Sequence, residues 1–168
     1  MKHSVHILSF LLAAGVLFSA LLGCSKQATA DSVAYRLLNL YPYLPRCSQY
    51  VKDGEPFTSG YLSPEDFFYL YTGRREVLPE WDKIEAFRLI LTDTIDFFEI
   101  HVIEAMTASD ADEIAALLER RAALLSSCSR AGSDYPTWDP FVCRRGRFAV
   151  LVATDDNEAA RRLLDRIL

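Results

Sequence analysis

Histidine is scarce in this chain. The sequence holds three, and His3 and His6 fall in an N-terminal stretch that reads as an export signal, which leaves His101 alone. Cys–His or Ser–His–Asp catalysis would have to use His101 as its base. No Gly-x-Ser-x-Gly, His-Glu-x-x-His or P-loop pattern occurs, so no familiar catalytic motif supports such a role. No Cys-x-x-Cys occurs either, which removes a zinc knuckle or thioredoxin-like redox site. No metal and no cofactor is expected. Positive charge is in deficit as well, with 18 Lys+Arg against 23 Asp+Glu and a net charge of −5. That balance argues against nucleic acid, whose binding rests on cationic neutralisation of phosphates, and against electrostatic adhesion to anionic lipid. There is no repeat of fixed period and no low-complexity block.

What the sequence does have is a long apolar run at its start. Residues 7–22 carry no charge, follow Lys2 and end in Leu21-Leu22-Gly23-Cys24. A short basic region, an apolar core and a small-residue junction make an export signal. Leu21, Gly23 and Cys24 supply the branched, small and thiol positions of a lipobox, and such starts look like bacterial lipoprotein precursors. The thiol of Cys24 is the strong nucleophile at the junction, as acylation requires. Two other readings stay open. Ala28-Thr29-Ala30 is an Ala-x-Ala site for an ordinary signal peptidase, and an uncleaved membrane anchor needs only about 20 apolar residues. On the lipoprotein reading, residues 1–23 are signal peptide and residues 24–30 a tether. The mature chain is one domain's worth of residues. Its acyl chains on Cys24 would hold it at the outer face of the bacterial membrane, because two or three chains anchor stably. Loss of Lys2 takes Lys+Arg from 18 to 17 against 23 acids, a mature net charge of −6.

With Cys24 consumed, Cys47, Cys128 and Cys143 remain in a compartment that permits disulfides. At most one intramolecular pair can form. Cys128 and Cys143 flank a loop of Gly, Pro and aromatics, and closing it would stabilise by roughly 3 kcal/mol in the chain-entropy model. The alternative is that both are buried thiols packing as small hydrophobes.

Residues 31–62 read as a helix from Asp31 or Ser32 to about Leu40, then an irregular linker broken by Pro42 and Pro45. Residues 63–168 read as an α+β domain. Ser63-Pro64-Glu65-Asp66 is a helix start, with Gly73 as its stop. Residues 84–91 are ambiguous, since Ile84, Phe87 and Leu91 fit a helix while Phe87, Leu89 and Leu91 alternate; a strand is expected because a matching one follows. There Phe98, Ile100 and Val102 alternate with Glu99, His101 and Ile103, a half-buried pattern with His101 opposite the core and facing solvent. Thr92-Asp93-Thr94 would connect the two. Ser109-x-x-Asp112 opens the clearest helix, ending near Cys128. Phe141-Val142-Cys143 and residues 147–153 flank a turn at Arg145-Gly146. Ala149, Leu151 and Ala153 face one side and Phe148, Val150 and Val152 the other, so this strand is central in its sheet. Asp155-x-x-Glu158 starts a last helix. The expectation is a four-stranded antiparallel sheet in ββαββα order with helices on one face, plus N-terminal helices.

From about residue 63 onward the chain resembles a bacterial lipoprotein family known as domain of unknown function 4358. The resemblance is carried by Phe98-Glu99-Ile100-His101-Val102, by Arg121 in the long helix, by Tyr135-Pro136, and by Arg145-Gly146-Arg147-Phe148-Ala149-Val150-Leu151-Val152 followed by Asp155 and Asp156. Leu124 stands where the family commonly has a polar residue, and the extra cysteines are outside its pattern. The resemblance implies fold and location and brings no activity with it.

Three groups of residues are candidates for function. The acids Asp82, Glu85, Asp93, Asp96, Glu99 and Glu104 cluster around the first hairpin, and glycosidases need two carboxylates across a cleft. Arg120, Arg121, Arg144, Arg145 and Arg147 would form a basic patch if the long helix and second hairpin are neighbours; ordinary surface ion pairing with Glu119, Asp155 and Asp156 is the plainer outcome. Tyr135 and Trp138, with Tyr41, Tyr43, Tyr50 and Tyr61, sit in loops and suit glycan or protein contact, or simply cover a small sheet. The expected function is a non-catalytic binding or accessory module of the cell envelope, with Arg121, Arg145, Arg147, Tyr135 and Trp138 as its contact surface and an envelope protein or glycan as partner. The alternative is an envelope hydrolase or an accessory factor in cell-wall polymer modification.

Overall fold

The computed structural model describes residues 28–43, 46–56, 58–92, 98–129, 139–154 and 156–168, except for the side chains of residues 128 and 129. Among the described residues four helices and five strands follow one another as α1 (Ala30–Leu38), β1 (Cys47–Val51), α2 (Pro64–Thr72), a 3₁₀ turn at Pro79–Lys83, β2 (Ile84–Thr92), β3 (Glu99–Ala105), α3 (Ala108–Ser129), β4 (Phe141–Arg145), β5 (Phe148–Ala153) and α4 (Asn157–Ile167). The strands form one antiparallel sheet in the order β1-β2-β3-β5-β4. The α+β class and the antiparallel sheet are as expected, and the strand count and helix placement are not. The fifth strand, β1, lies inside the stretch expected to be irregular. It pairs with β2 at the sheet edge, and its half-buried residues show no alternation that would reveal a strand.

Helices cover both faces rather than one. On the first face, α2 and α3 pack over Phe87, Leu89, Ile103, Ala149 and Leu151. On the second, α1 and α4 pack over Ile90, Ile100, Val102, Val150 and Val152. Both faces of β3 and β5 are therefore sealed, and every residue of these two strands is buried. Burying each branched or aromatic side chain there is worth about 1.5–3 kcal/mol. β5 lies between β3 and β4, as its two apolar faces imply. The helix-like spacing of Ile84 and Phe87 has a local cause. A register irregularity between Ile84 and Ala86 adds one residue, so Ile84 and Phe87 both join the first-face core.

Local signals set the helix ends. Ser63 Oγ accepts from the Asp66 N–H at 3.1 Å, Pro64 occupies the first turn, and Gly73 closes α2 with φ +71°. The start of α3 is earlier than Ser109-x-x-Asp112 would place it. Thr107 Oγ1 accepts from the Asp110 N–H at 3.1 Å, because Thr107-x-x-Asp110 offers the same hydroxyl-to-acid spacing directly after β3. Similarly Thr29, not Asp31, caps α1, with Ser32 completing a capping box. At the other end Asp156 caps α4, accepting from the Ala159 N–H at 3.0 Å. Among the described residues no helix is long and apolar enough to cross a membrane.

Candidate functional site

The centre of the first face is polar. β3 sends Glu99 and His101 to the same side, two residues apart. From above, α2 supplies Tyr71 and α3 supplies Arg121. His101 faces α2 and is 0% exposed, whereas alternation along β3 placed it in solvent. The reason is the second helical layer, which turns the expected solvent face into an interior.

The four side chains form one chain of contacts. Tyr71 Oη lies 2.9 Å from His101 Nδ1. His101 Nε2 lies 3.1 Å from Glu99 Oε2, close but off the line of a well-aligned hydrogen bond. Arg121 grips Glu99 with two nitrogens, Nε donating to Oε2 at 3.0 Å and Nη2 to Oε1. Such a bidentate fork matches carboxylate geometry. Arg121 Nη1 also reaches the Leu70 carbonyl at 3.5 Å, which places a cation at the C-terminal end of α2, where the helix dipole favours one.

The protonation states follow from these surroundings. Burial alone would push the Glu99 carboxyl up; the contacts from His101 and Arg121 outweigh burial and hold it down at about 2. Burial, and then the Glu99 charge, push Tyr71 well above its ordinary value against the pull of Arg121. Tyr71 therefore keeps its proton and donates it toward Nδ1. In a neutral imidazole that assigns the ring proton to Nε2, facing Glu99. At neutral pH Glu99 has no proton to give, and Tyr71 is no nucleophile. The four groups form one buried network, in which His101 Nε2 faces Glu99 without a well-aligned hydrogen bond.

A cleft of about 500 Å³ opens beside this chain of contacts, between the last turn of α2 and the outer half of α3. Tyr71 and Arg121 form part of its wall; Tyr69, Leu124 and Arg120 form its more exposed part. A second cleft, of about 300 Å³, lies where Cys143 and Arg145 of β4 meet Arg161 and Asp165 of α4.

The arginines expected to share a surface are dispersed. Arg121 is bound to Glu99 on the first face. Arg145 pairs with Asp165 at 3.2 Å. Arg147 pairs with Glu104 at 2.6 Å, and Glu104 also accepts the Ala30 N–H at the start of α1. Arg144 pairs with Asp112 at 2.7 Å, tying β4 to α3. These partners differ from Glu119 and Asp156, because the fold brings other acids closer; Asp155 lies outside the described residues. The acids separate too. Glu99 faces α2 and α3, while Glu104 faces α1, so these two carboxylates lie on opposite faces and cannot flank one substrate. Asp82 and Glu85 are exposed. Asp93, Asp96, Tyr135, Trp138 and Cys24 lie outside the described residues, as does the side chain of Cys128. Cys143 is a half-buried free thiol, and burial raises its pKa despite Arg145 nearby. Cys47 and Cys143 sit on β1 and β4, the two edge strands, some four strand spacings of ~4.8 Å apart. That separation rules out a bridge between them. Among the described residues no cluster of His, Cys, Asp or Glu is placed to hold a metal.

Tyr71 is the member of the site that the sequence pattern did not single out. Its signal was its position four residues after Phe67, on the buried stripe of α2. A hydroxyl on such a stripe needs a partner, and a strand histidine is one. In comparison with known proteins, the chain matches no family model, no curated protein and no solved structure.

Proposed function

We propose that this chain is a lipid-anchored protein of the bacterial cell envelope whose α+β domain works as a non-catalytic binding or accessory module. The observation that carries the non-catalytic part is the closed chain Tyr71–His101–Glu99–Arg121. The mature chain's one histidine is spent on holding α2 to β3, between a hydroxyl and a carboxylate that is itself held by Arg121. The His101 ring is fully buried, with Nδ1 engaged by Tyr71 and Nε2 turned to Glu99, which supports a role in the fold rather than toward a substrate. The lipobox at Cys24 supports the address. So does the resemblance to the lipoprotein family, whose polar marks Glu99, His101 and Arg121 are the residues that meet at this site. The partner is an envelope protein or glycan. Crosslinking intact envelopes and isolating the chain through an affinity tag tests the reading. A partner enriched over a non-anchored Cys24→Ala control is expected; no enrichment would count against it.

A further inference from the structure

We propose that the cleft at the end of α2 is a binding site for an acidic saccharide. This deepens the binding-module reading and rests on it.

Four features of the cleft point to that chemistry together. Its size, about 500 Å³, lies in the range of small-ligand sites. Two large apolar side chains on its wall stay open to water: Tyr69 is 51% exposed and Leu124 49% exposed, although most large apolar side chains of the described residues are buried. Arg75 sits over the Tyr69 ring at 5.8 Å and is itself paired with Asp66. Arg120 is exposed and has no carboxylate partner among the described residues, whereas its neighbour Arg121 is neutralised by Glu99. Finally, α2 ends in the cleft. The N–H of Gly73 takes the Tyr69 carbonyl and Arg121 approaches that of Leu70, but the carbonyls of Tyr71 and Thr72 have no helical N–H after them.

Each ligand class uses these features differently. An inorganic anion would engage Arg120 and leave Tyr69 and Leu124 unused. A hydrocarbon would cover Tyr69 and Leu124 and bury an unpaired guanidinium and helix-end carbonyls, which is costly. A sugar ring stacks on an aromatic face, its hydroxyls donate to carbonyl oxygens, and an acid group on it meets Arg120. The acid can be a carboxylate on the ring or a phosphodiester between rings, and the shared chemistry is a hydroxylated ring carrying negative charge. The Tyr71–His101–Glu99–Arg121 chain fixes the two helices relative to each other, so the cleft is preformed.

Calorimetric titration of the full-length chain in detergent micelles tests this with four probes: trigalacturonate, its neutral methyl ester, a phosphodiester-linked trisaccharide and inorganic phosphate. At least one acidic trisaccharide binds, and the ester and inorganic phosphate bind at least roughly tenfold more weakly. Arg120→Glu lowers the affinity roughly tenfold or more and Tyr69→Ala roughly fivefold, as expected for one charge-assisted contact and one ring contact. Both side chains are exposed, and an unchanged unfolding midpoint shows that the fold is kept; if either variant misfolds, Arg120→Gln and Leu124→Ser replace them with the same expected direction. Preference for the carboxylate or the phosphodiester probe identifies the source of the acid. The proposal is overturned if neither acidic trisaccharide binds, if inorganic phosphate binds as tightly, or if the variants bind as well as the parent chain. An envelope partner still captured by Arg120→Glu would leave the binding-module reading standing and remove the cleft as its site.

Discussion

Replacing Arg121 by Met should be among the most damaging single changes in the described chain. Glu99 is buried, with its carboxyl held at about 2 against an ordinary value of 4.5. A tenfold change in proton affinity corresponds to about 1.36 kcal/mol, so the contacts from His101 and Arg121 together are worth about 3 kcal/mol beyond the cost of burial. Arg121→Met removes two hydrogen bonds to that carboxylate and leaves a buried charge facing His101 alone. Losing one partner of a buried pair costs about 3–5 kcal/mol, a large part of the ~5–15 kcal/mol that holds a domain together. The double change Arg121→Met with Glu99→Gln removes the charge as well. It should recover much of the loss, because a neutral amide tolerates the site far better than an unpaired carboxylate. Urea unfolding followed by tryptophan fluorescence measures all four corners of this cycle. A loss below about 1 kcal/mol for Arg121→Met would be the signature of a solvent-exposed ion pair, and it would refute the idea of a sealed network. So would a double variant less stable than Arg121→Met alone.

Acid should weaken the fold through the same residue. The folded pKa of Glu99 is depressed, so its contribution is complete above about 4.5 and is lost as pH falls toward about 2; Glu99→Gln should flatten that acid limb in a pH series of unfolding free energies, and an unchanged limb would assign it to other carboxylates. Tyr71→Phe strips the donor from His101 Nδ1 in a buried place and should cost about 1–3 kcal/mol. Nitrogen chemical shifts of the His101 ring should then show loss of the single Nε2–H tautomer, while a retained tautomer would mean that Tyr71 does not set it. Gly73→Ala meets open space but keeps φ at +71°. Strain of roughly 1 kcal/mol should lower the melting temperature by about 2–4 °C, and no change would show that the turn relaxes.

The parts of the fold that could be read from sequence are those decided within a few residues. Ser63, Pro64 and Gly73 bracket α2 through contacts three or four positions apart. Gly146, with φ +53°, closes the second hairpin in the same local way. What could not be read depends on distant chain segments. β1 is a strand because β2 offers it an edge about 40 residues later in sequence, not because Cys47–Val51 alternates. Helices on both faces hide β3: Glu99 and His101 on one face and Glu104 on the other look solvent-facing in the sequence, and each is buried because a partner arrives from elsewhere, Arg121 from α3, Tyr71 from α2 and Arg147 from the turn before β5. Buried polar residues that are paired across the fold imitate surface residues in a one-dimensional pattern. The arginines could likewise be named as charged groups, but their dispersal into separate ion pairs is a property of topology.

The proposed anchoring of the module stands or falls with Cys24. Intact-mass measurement of the protein isolated from the membrane fraction, beside Cys24→Ala, tests it most directly. The expected species is a chain beginning at Cys24 and carrying the added mass of two or three acyl chains, absent from the variant. A chain beginning at Asp31 with no acyl mass, released by cleavage after Ala30, would contradict it.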